Sequence, residues 1–126
     1  MWKYEQHSGK LFDPTGKYVA LGYAGGNCGK DPIGLNNTDM EQVKGVGPLP
    51  CGLYTFQTPV LESHLGKFAI PLLPDSANVM YGRGGFYVHG DLVIGLPNSA
   101  SEGCIILARA IRDSMWASTD HLLLVY

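Results

Sequence analysis

Residues 86–107 read FYVHGDLVIGLPNSASEGCIIL, and they place a histidine and a cysteine fifteen positions apart, each beside a glycine. Apolar and aromatic residues precede His89, and Ile105 to Leu107 follow Cys104. An isolated thiol is only a few per cent ionised at neutral pH, so a nucleophilic cysteine needs a nearby base. The stretch therefore predicts a strand that ends in a base and a tight turn that presents a thiol, an arrangement suited to cysteine acyl transfer.

The composition indicates one folded domain over residues 1–126. An apolar fraction of 45% with 16% charged residues is typical of a globular chain. The net charge of −2 gives no support to a nucleic-acid partner or to binding at an anionic membrane surface. No apolar run approaches the roughly 18 residues that a membrane span needs.

The first six residues lack the charged and apolar regions of a secretory signal. The sequence therefore predicts a protein made in the cytoplasm, which would reach an extracellular substrate by another export route.

Seventeen glycines and eight prolines punctuate the chain, which favours short strands joined by turns over a helical bundle. We expect a mostly β (α+β) fold, either a sandwich or a curled mixed sheet, with one or two short helices. The predicted strands cover residues 2–7, 10–12, 17–23, 52–57, 67–72, 86–89 and 121–126.

The predicted loops and helices complete this picture. Residues 24–37 and 73–85 read as loops, the second long enough to suggest a functional role. Thr38 and Glu41 form a capping-box pattern that predicts a short helix over residues 39–43. An amphipathic helix is expected to start just beyond Cys104. The apolar run 121–126 predicts a buried strand that closes the sheet.

The alternation of side chains along residues 86–89 predicts which way the His89 side chain points. If Phe86 and Val88 face the core, Tyr87 and His89 face a cleft at the strand's end. Gly90 then allows a substrate to approach the backbone closely. We therefore predict substrate contacts at Tyr87 and Gly90.

Because Gly103 has no side chain, nothing covers the peptide group that joins it to Cys104. The N–H groups of Gly103 and Cys104 could form an oxyanion hole, and the positive end of the following helix would favour the thiolate. The alternative is a small buried cysteine packed at a junction, and the paired motifs favour the catalytic interpretation.

The other cysteines and histidines carry weaker signals. Cys28 and Cys51 either form a disulfide or are ordinary buried thiols, and their spacing does not decide between the two. His7 and His64 have no neighbours in sequence that suggest a metal, and no ligand spacing for zinc is present. The sequence predicts no cofactor and no metal site.

The residues quoted above resemble a known family. A His-Gly pair followed by Ser-x-Gly-Cys-Ile-x-Leu is similar to the signature of the L,D-transpeptidases of the YkuD type, and most similar to their small relatives, the Tlde1 domains found among type VI secretion effectors. The resemblance extends over most of the chain, through residues 22–25, 36–37, 47–54 and 82–86. The transpeptidase signature has a second histidine and an arginine where Glu102 and Ile106 stand here.

The resemblance implies a YkuD-like fold, with Cys104 as nucleophile, His89 as general base and Ser101 as a local orienting group. The implied substrate is the stem peptide of peptidoglycan, cleaved between meso-diaminopimelate and a terminal D-alanine. Water as acceptor would make the enzyme an L,D-carboxypeptidase, and an amine would make it a transpeptidase or a D-amino-acid exchanger. An effector role implies secretion machinery, an immunity protein and action in the periplasm of a target bacterium.

A substrate with free carboxylates needs a cation, and Arg83 in the glycine-rich loop is the candidate because a guanidinium grips a carboxylate bidentately. Asp91 and Glu102 flank the proposed catalytic pair and are expected to act on it indirectly. A carboxylate at Glu102 would also raise the pKa of the thiol. His121 is expected to be structural.

Three other interpretations are open at this point. A papain-like or NlpC/P60-type hydrolase places its cysteine before its histidine, and only His121 follows Cys104 here. A non-enzymatic cell-wall binding module would need no thiol. A cytoplasmic structural protein leaves the histidine and cysteine turns unexplained.

Overall fold

The computed structural model describes residues 1–91, 96 and 98–126 of the chain. Among these residues there are ten strands and one α-helix. In chain order they are β1 (Trp2–Glu5), β2 (Lys10–Phe12), β3 (Tyr18–Leu21), β4 (Tyr23–Ala24), β5 (Gly52–Phe56), β6 (Val60–Ser63), β7 (Gly66–Pro74), β8 (Tyr87–His89), β9 (Ile105–Ile106), α1 (Arg109–Ala117) and β10 (Leu122–Val125).

The ten strands form one mixed sheet. Nine of them follow the order β3-β2-β1-β10-β5-β7-β8-β9-β4, and β6 pairs with β7 beside this path. The pairs β1–β10 and β8–β9 are parallel, and the other pairs are antiparallel. β3 and β4 stand at opposite ends of this order, although Gly22 alone separates them in sequence. The two ends therefore lie side by side, so the mostly β prediction and its curled mixed sheet are confirmed.

Gly22 is the point where the chain crosses between the two ends of the sheet. A Cβ at this position would lie 2.3 Å from the carbonyl oxygen of Ile106, so only glycine fits there. Its N–H donates to the carbonyl of Gly9 at 2.7 Å. The single strand predicted over residues 17–23 is wrong for this reason: it breaks at Gly22 into β3 and β4.

The two terminal strands lie side by side near the middle of the sheet order. Alternation in β1 is confirmed, with Trp2 and Tyr4 buried and Lys3 exposed. β10 lies between β1 and β5, and its Leu123 and Val125 are buried. A C-terminal strand inside the sheet is thus confirmed, but only alternate side chains of it are buried, since Leu122 is exposed. β10 also joins the N-terminal strands to the rest of the sheet rather than closing it.

The strands predicted over residues 52–57 and 67–72 are confirmed and lie side by side, since β5 pairs antiparallel with β7. The hairpin formed by β6 and β7 was not predicted, because residues 60–63 are half or fully exposed and show no alternation. Strand β7 also continues to Pro74, so the predicted loop over residues 73–85 begins later than expected.

Two helix predictions need correction. Residues Thr38–Met40 form one 3-10 turn, and its cap is the side chain of Asn37, which accepts the N–H of Asp39. The Glu41 carboxylate is drawn away from a capping box, because it accepts hydrogen bonds from Gln6 and from the Cys51 N–H. Further along the chain, the amphipathic helix α1 begins at Arg109, and β9 separates it from Cys104.

One core runs beneath the sheet. It packs α1 against β7 and β8 through the buried Met115 and the partly buried Ile111. The largest buried side chains in it include Tyr4, Leu11, Leu49, Tyr54, Ile70, Ile105 and Leu123. The parallel pair β8–β9 contributes Val88 and Ile105 to this core. The candidate site lies on the same pair of strands.

Candidate active site

A cavity of about 480 Å³ opens on the surface side of β8 and β9. It contains both residues singled out by the sequence, His89 and Cys104. Its walls also include Cys28, Lys44, His64, Gly84, Gly85, Tyr87 and Glu102.

The register of the parallel pair places the thiol. Val88 lies opposite Ile105, so Tyr87 lies opposite Cys104. The N–H of Tyr87 donates to Cys104 Sγ at 3.3 Å. Side chains two residues apart on a strand share a face, so His89 follows Tyr87 toward the same cavity. Tyr87 thus reaches the site through its backbone as well as through its half-buried side chain.

His89 is held in one tautomer by its own neighbour. The ring is buried, with 3% exposed, and Nδ1 lies 3.0 Å from the carbonyl oxygen of Gly90. A carbonyl only accepts, so Nδ1 carries the proton and Nε2 is left as the acceptor. Burial, together with the charges of Arg112 and His64, holds the pKa of His89 below its ordinary value. A neutral imidazole with an open Nε2 is the form that a general base requires.

The thiol of Cys104 is protonated at neutral pH. Its pKa is raised to about 11, chiefly by burial and also by the carboxylate of Glu102. The N–H groups of Tyr87 and Cys104 and the charge of Arg83 act in the opposite direction. The rise caused by Glu102 agrees with the prediction that a carboxylate at this position raises the pKa of the thiol. The predicted helix dipole does not contribute, because β9 rather than a helix follows the cysteine.

Ser101 organises the turn before the thiol. Its buried hydroxyl donates to the carbonyl of Cys104 at 2.6 Å and accepts the N–H of Gly103 at 3.0 Å and of Gly25 at 2.8 Å. These bonds hold the turn in place, and the orienting role of Ser101 in catalysis stays a prediction. The same bonds correct the predicted oxyanion hole, because the Gly103 N–H is already bonded and Cys104 supplies the remaining donor of that pair.

Gly103 is required here for its small size and its backbone angle. Its φ of +145° is a conformation that residues with a side chain rarely adopt. A Cβ would lie 2.7 Å from Arg83 Nη2 and 2.8 Å from the ring of Phe86. The glycine in the motif therefore lets the arginine pass directly behind the thiol turn.

The Arg83 guanidinium is not free to bind a ligand, contrary to the carboxylate-binding role predicted for it. The side chain is 7% exposed and its guanidinium stacks on Phe86. Both terminal nitrogens are occupied by backbone carbonyls, those of Glu41, Gly47, Pro48 and Glu102. Arg83 therefore ties the loop before β5 to the turn that carries Cys104.

Gly90 also has a different neighbour from the one predicted. A Cβ on Gly90 would lie 2.9 Å from Arg112 Nη1, so the close approach is made by this arginine and not by a substrate. Arg112 is buried and donates to the carbonyls of Leu107, Phe68 and Lys67. Gly90 contributes to the site through its carbonyl, which holds His89.

Asp91 and His121 make different kinds of contact. Asp91 accepts the hydroxyl of Tyr23 at 2.6 Å, and its charge acts weakly on the pKa of His89. His121 is structural as expected, since it stacks on Trp116 with ring centroids 4.2 Å apart and bonds the Trp116 carbonyl.

Three residues that line the cavity were not predicted to do so from the sequence. His64 lies on the turn of the β6–β7 hairpin, and its charge acts on His89. Lys44 lines the cavity from the loop before β5, and Cys28 lines it from the loop after β4. Gly45, Gly47 and the prolines at 48 and 50 mark the Lys44 loop as a loop, and Gly66 marks the β6–β7 turn, but neither signal points to the cavity.

All three cysteines are free, so the proposed Cys28–Cys51 disulfide is not formed. The alternative of two buried thiols is also only partly right, because Cys28 is exposed and Cys51 is half-buried. Burial and Glu41 raise the pKa of Cys51 to about 11.

Within residues 1–91, 96 and 98–126 there is no group of three His, Cys, Asp or Glu side chains that could hold a metal ion. No helix in this part of the chain has the length and apolar character to cross a membrane.

Comparison with known proteins agrees with this fold. No curated protein is significantly similar to the chain in sequence. The fold is similar to the crystal structure of an L,D-transpeptidase from Enterococcus faecium, solved as a cysteine-to-serine mutant, with a TM-score of 0.56 and 10% identity. The similarity covers 99% of this chain and 48% of that one, so this chain spans about half the length of the transpeptidase. Residues 24–122 match the Tlde1 domain family, and the chain belongs to that family.

Proposed function

We propose that the protein is a cysteine acyl-transfer enzyme acting on peptidoglycan stem peptides. The observation that carries this proposal is the pairing of a buried histidine, fixed with Nε2 unprotonated, with a free thiol in the same cavity. The scissile bond would lie between meso-diaminopimelate and a terminal D-alanine. The Tlde1 family match and the L,D-transpeptidase-like fold support this class of substrate.

The first half of the reaction forms an acyl-enzyme. Cys104 Sγ attacks the carbonyl carbon of diaminopimelate while His89 Nε2 takes the thiol proton. The tetrahedral intermediate collapses, the C–N bond breaks, and His89 returns the proton to the amine of the departing D-alanine. A thioester on Cys104 remains.

The pKa directions favour concerted proton transfer over a preformed ion pair. The pKa of Cys104 is raised to about 11 and that of His89 is lowered, so both groups are neutral at pH 7. His89 therefore acts as a general base during the attack. The Gly103 N–H is bonded to Ser101, so the Cys104 N–H, which also acts on the sulfur, is the donor of this turn that would stabilise the oxyanion.

The second half depends on the acceptor. Water attacking the thioester releases a tripeptide, which is L,D-carboxypeptidase activity. The amine of a D-amino acid gives exchange, and an amine of a neighbouring stem gives a cross-link. In each case His89 Nε2 takes a proton from the attacking water or amine, the C–S bond of the thioester breaks, and the sulfur regains that proton from His89.

The biological setting follows from the resemblance of the signature to effector domains. In this proposal the protein is an antibacterial toxin, delivered by secretion machinery to the periplasm of a target cell and held in check by an immunity protein. Expression directed to the periplasm of a test bacterium should then stop growth, whereas cytoplasmic expression should not. A Cys104→Ala variant that remains toxic in the periplasm would contradict the catalytic basis of toxicity.

The enzymatic proposal is tested by chromatography of products from purified stem tetrapeptides. We expect the wild type to release tripeptide, with Cys104→Ala and His89→Gln each lowering the rate at least about a thousandfold. Cys51→Ala, which removes a thiol outside the cavity, is the matched control and should keep the activity. A folded wild type that binds peptidoglycan without altering it would instead favour the cell-wall binding module.

A further inference from the structure

We propose that Lys44 binds the free carboxylate of the residue that leaves, and so makes the site selective for peptides that end at the scissile D-residue. This inference rests on the proposed function. It assigns the cation for which Arg83 was the sequence-based candidate.

The first step of the argument is the state of Arg83. Both of its terminal nitrogens are used by backbone carbonyls, and its side chain is 7% exposed. It supplies positive charge behind the thiol turn but no free pair of donors for a carboxylate.

Lys44 differs from Arg83 in each of these respects. It is exposed, it lines the cavity, and it makes no ion pair with any residue the structure describes. An ammonium on a flexible four-carbon stem can move to meet a ligand carboxylate. Glu102 is the one acidic side chain among the residues lining this cavity, so a carboxylate ligand needs a cation beside it.

The loop that carries Lys44 is held in position by the candidate site itself. Arg83 binds the carbonyls of Glu41, Gly47 and Pro48, which lie on either side of Lys44. The same guanidinium binds the carbonyl of Glu102, one residue before Gly103. One buried arginine thus fixes the base of the Lys44 loop relative to the thiol turn.

The chemistry of the substrate identifies which carboxylate is bound. The terminal carboxylate of the leaving residue is one residue from the scissile carbonyl, and adjacent residues are about 3.8 Å apart. A lysine ammonium in the same cavity as the sulfur can therefore contact this carboxylate while the sulfur attacks the scissile carbonyl. An internal peptide bond at this position carries no charge, so the lysine would distinguish a chain end from a chain interior.

The test compares a stem tetrapeptide that ends in free D-alanine with the same peptide ending in a carboxamide. For the acid, Lys44→Gln should raise KM about tenfold with little change in kcat, the size typical of one charge-assisted hydrogen bond at a partly exposed site. The KM for the amide should not change. Lys44→Arg should restore most of the preference for the acid.

Lys30→Gln is the matched control, because Lys30 is exposed, lies near Cys28 and is not part of the cavity wall. It removes the same charge and should leave both KM values unchanged. An equal effect of Lys30→Gln and Lys44→Gln would overturn the proposal, as would a wild type that does not distinguish acid from amide.

Binding to the Cys104→Ala variant, measured by calorimetry, separates this proposal from the enzymatic one. Weaker binding of the acid on adding Lys44→Gln supports the carboxylate site even if the wild type cleaves nothing. Cleavage by the wild type without any effect of Lys44→Gln refutes the carboxylate site alone. Failure of both peptides to bind refutes it as well.

Discussion

The hydroxyl of Ser101 donates a 2.6 Å hydrogen bond to the carbonyl of Cys104 and closes the turn that presents the thiol. The same oxygen accepts the N–H groups of Gly25 and Gly103. A serine hydroxyl has one proton and two lone pairs, so its whole hydrogen-bonding capacity is used. One buried side chain therefore joins the thiol turn to the loop after β4.

Replacing Ser101 with alanine should lower the free energy of unfolding by about 2–3 kcal/mol, because it leaves buried backbone groups without partners. Chemical denaturation measures this loss. Ser76→Ala, at an exposed serine, should change the stability by less than about 0.5 kcal/mol. Equal stabilities for the two variants would show that the Ser101 hydrogen bonds do not hold the turn.

Arg83→Lys should destabilise the fold by about 2–3 kcal/mol, since an ammonium cannot reproduce a planar fork that bonds four carbonyls. Thermal and chemical denaturation would detect this. Arg109→Lys is the control, because Arg109 is an exposed partner of Asp113. If Arg83 instead gripped substrate, Arg83→Lys would raise KM and leave the stability intact.

The reactivity of Cys104 toward iodoacetamide should be low at pH 7. With a pKa of about 11, roughly one thiol in ten thousand is ionised there, and the labelling rate should rise about tenfold per pH unit up to the pKa. Exposed Cys28 should be labelled first. Mass spectrometry of the labelled peptides distinguishes the two sites, and preferential labelling of Cys104 at pH 7 would refute the burial argument.

Glu102→Gln should make Cys104 more reactive, because removing a nearby negative charge lowers the pKa of the thiol. At pH 8 we expect labelling a few times faster than in the wild type, substantial peptidase activity, and a pH optimum moved downward. Glu62→Gln, at an exposed strand position away from the cavity, serves as the comparison. No difference between the two variants would mean that Glu102 does not act on the thiol.

The pH profile of kcat/KM should have its acid limb below the ordinary histidine value of about 6.5. Burial disfavours the imidazolium, and the charges of Arg112 and His64 do the same, so the base form of His89 persists to lower pH. Activity is then lost only as the pH falls through this lowered pKa. His64→Asn removes one of the repelling charges and should move the limb upward, whereas a shift downward would contradict this assignment.

Local patterns were sufficient to predict much of the site. Alternation along residues 86–89 placed Val88 in the core and His89 toward a cavity, and both are observed. Burial alternation belongs to each strand, so it can be read without knowing which strand lies beside it. The expectation for Ser101 came from the family resemblance instead, and its hydroxyl bonds residues two and three positions away.

Two of the errors share one cause, which is contact between distant segments. The strand over residues 17–23 breaks because Gly22 meets Ile106 at the junction of the two sheet ends. Gly90 is small because Arg112 crosses it from another element. Neither neighbour is visible in a local window of sequence.

By itself the sequence identified the two candidate catalytic residues: a histidine at the end of a half-buried strand and a cysteine in a glycine turn before a second strand. Only the tertiary structure decided what their neighbours do. The Arg83 guanidinium was predicted to be free to bind a carboxylate. In the structure it donates hydrogen bonds to three carbonyls that lie 35 to 42 residues earlier in the chain. The curled sheet brings Lys44 and His64 to the same cavity from loops with no motif of their own. Hydrogen bonding and charge act through space, so these roles depend on where the sheet brings distant segments together.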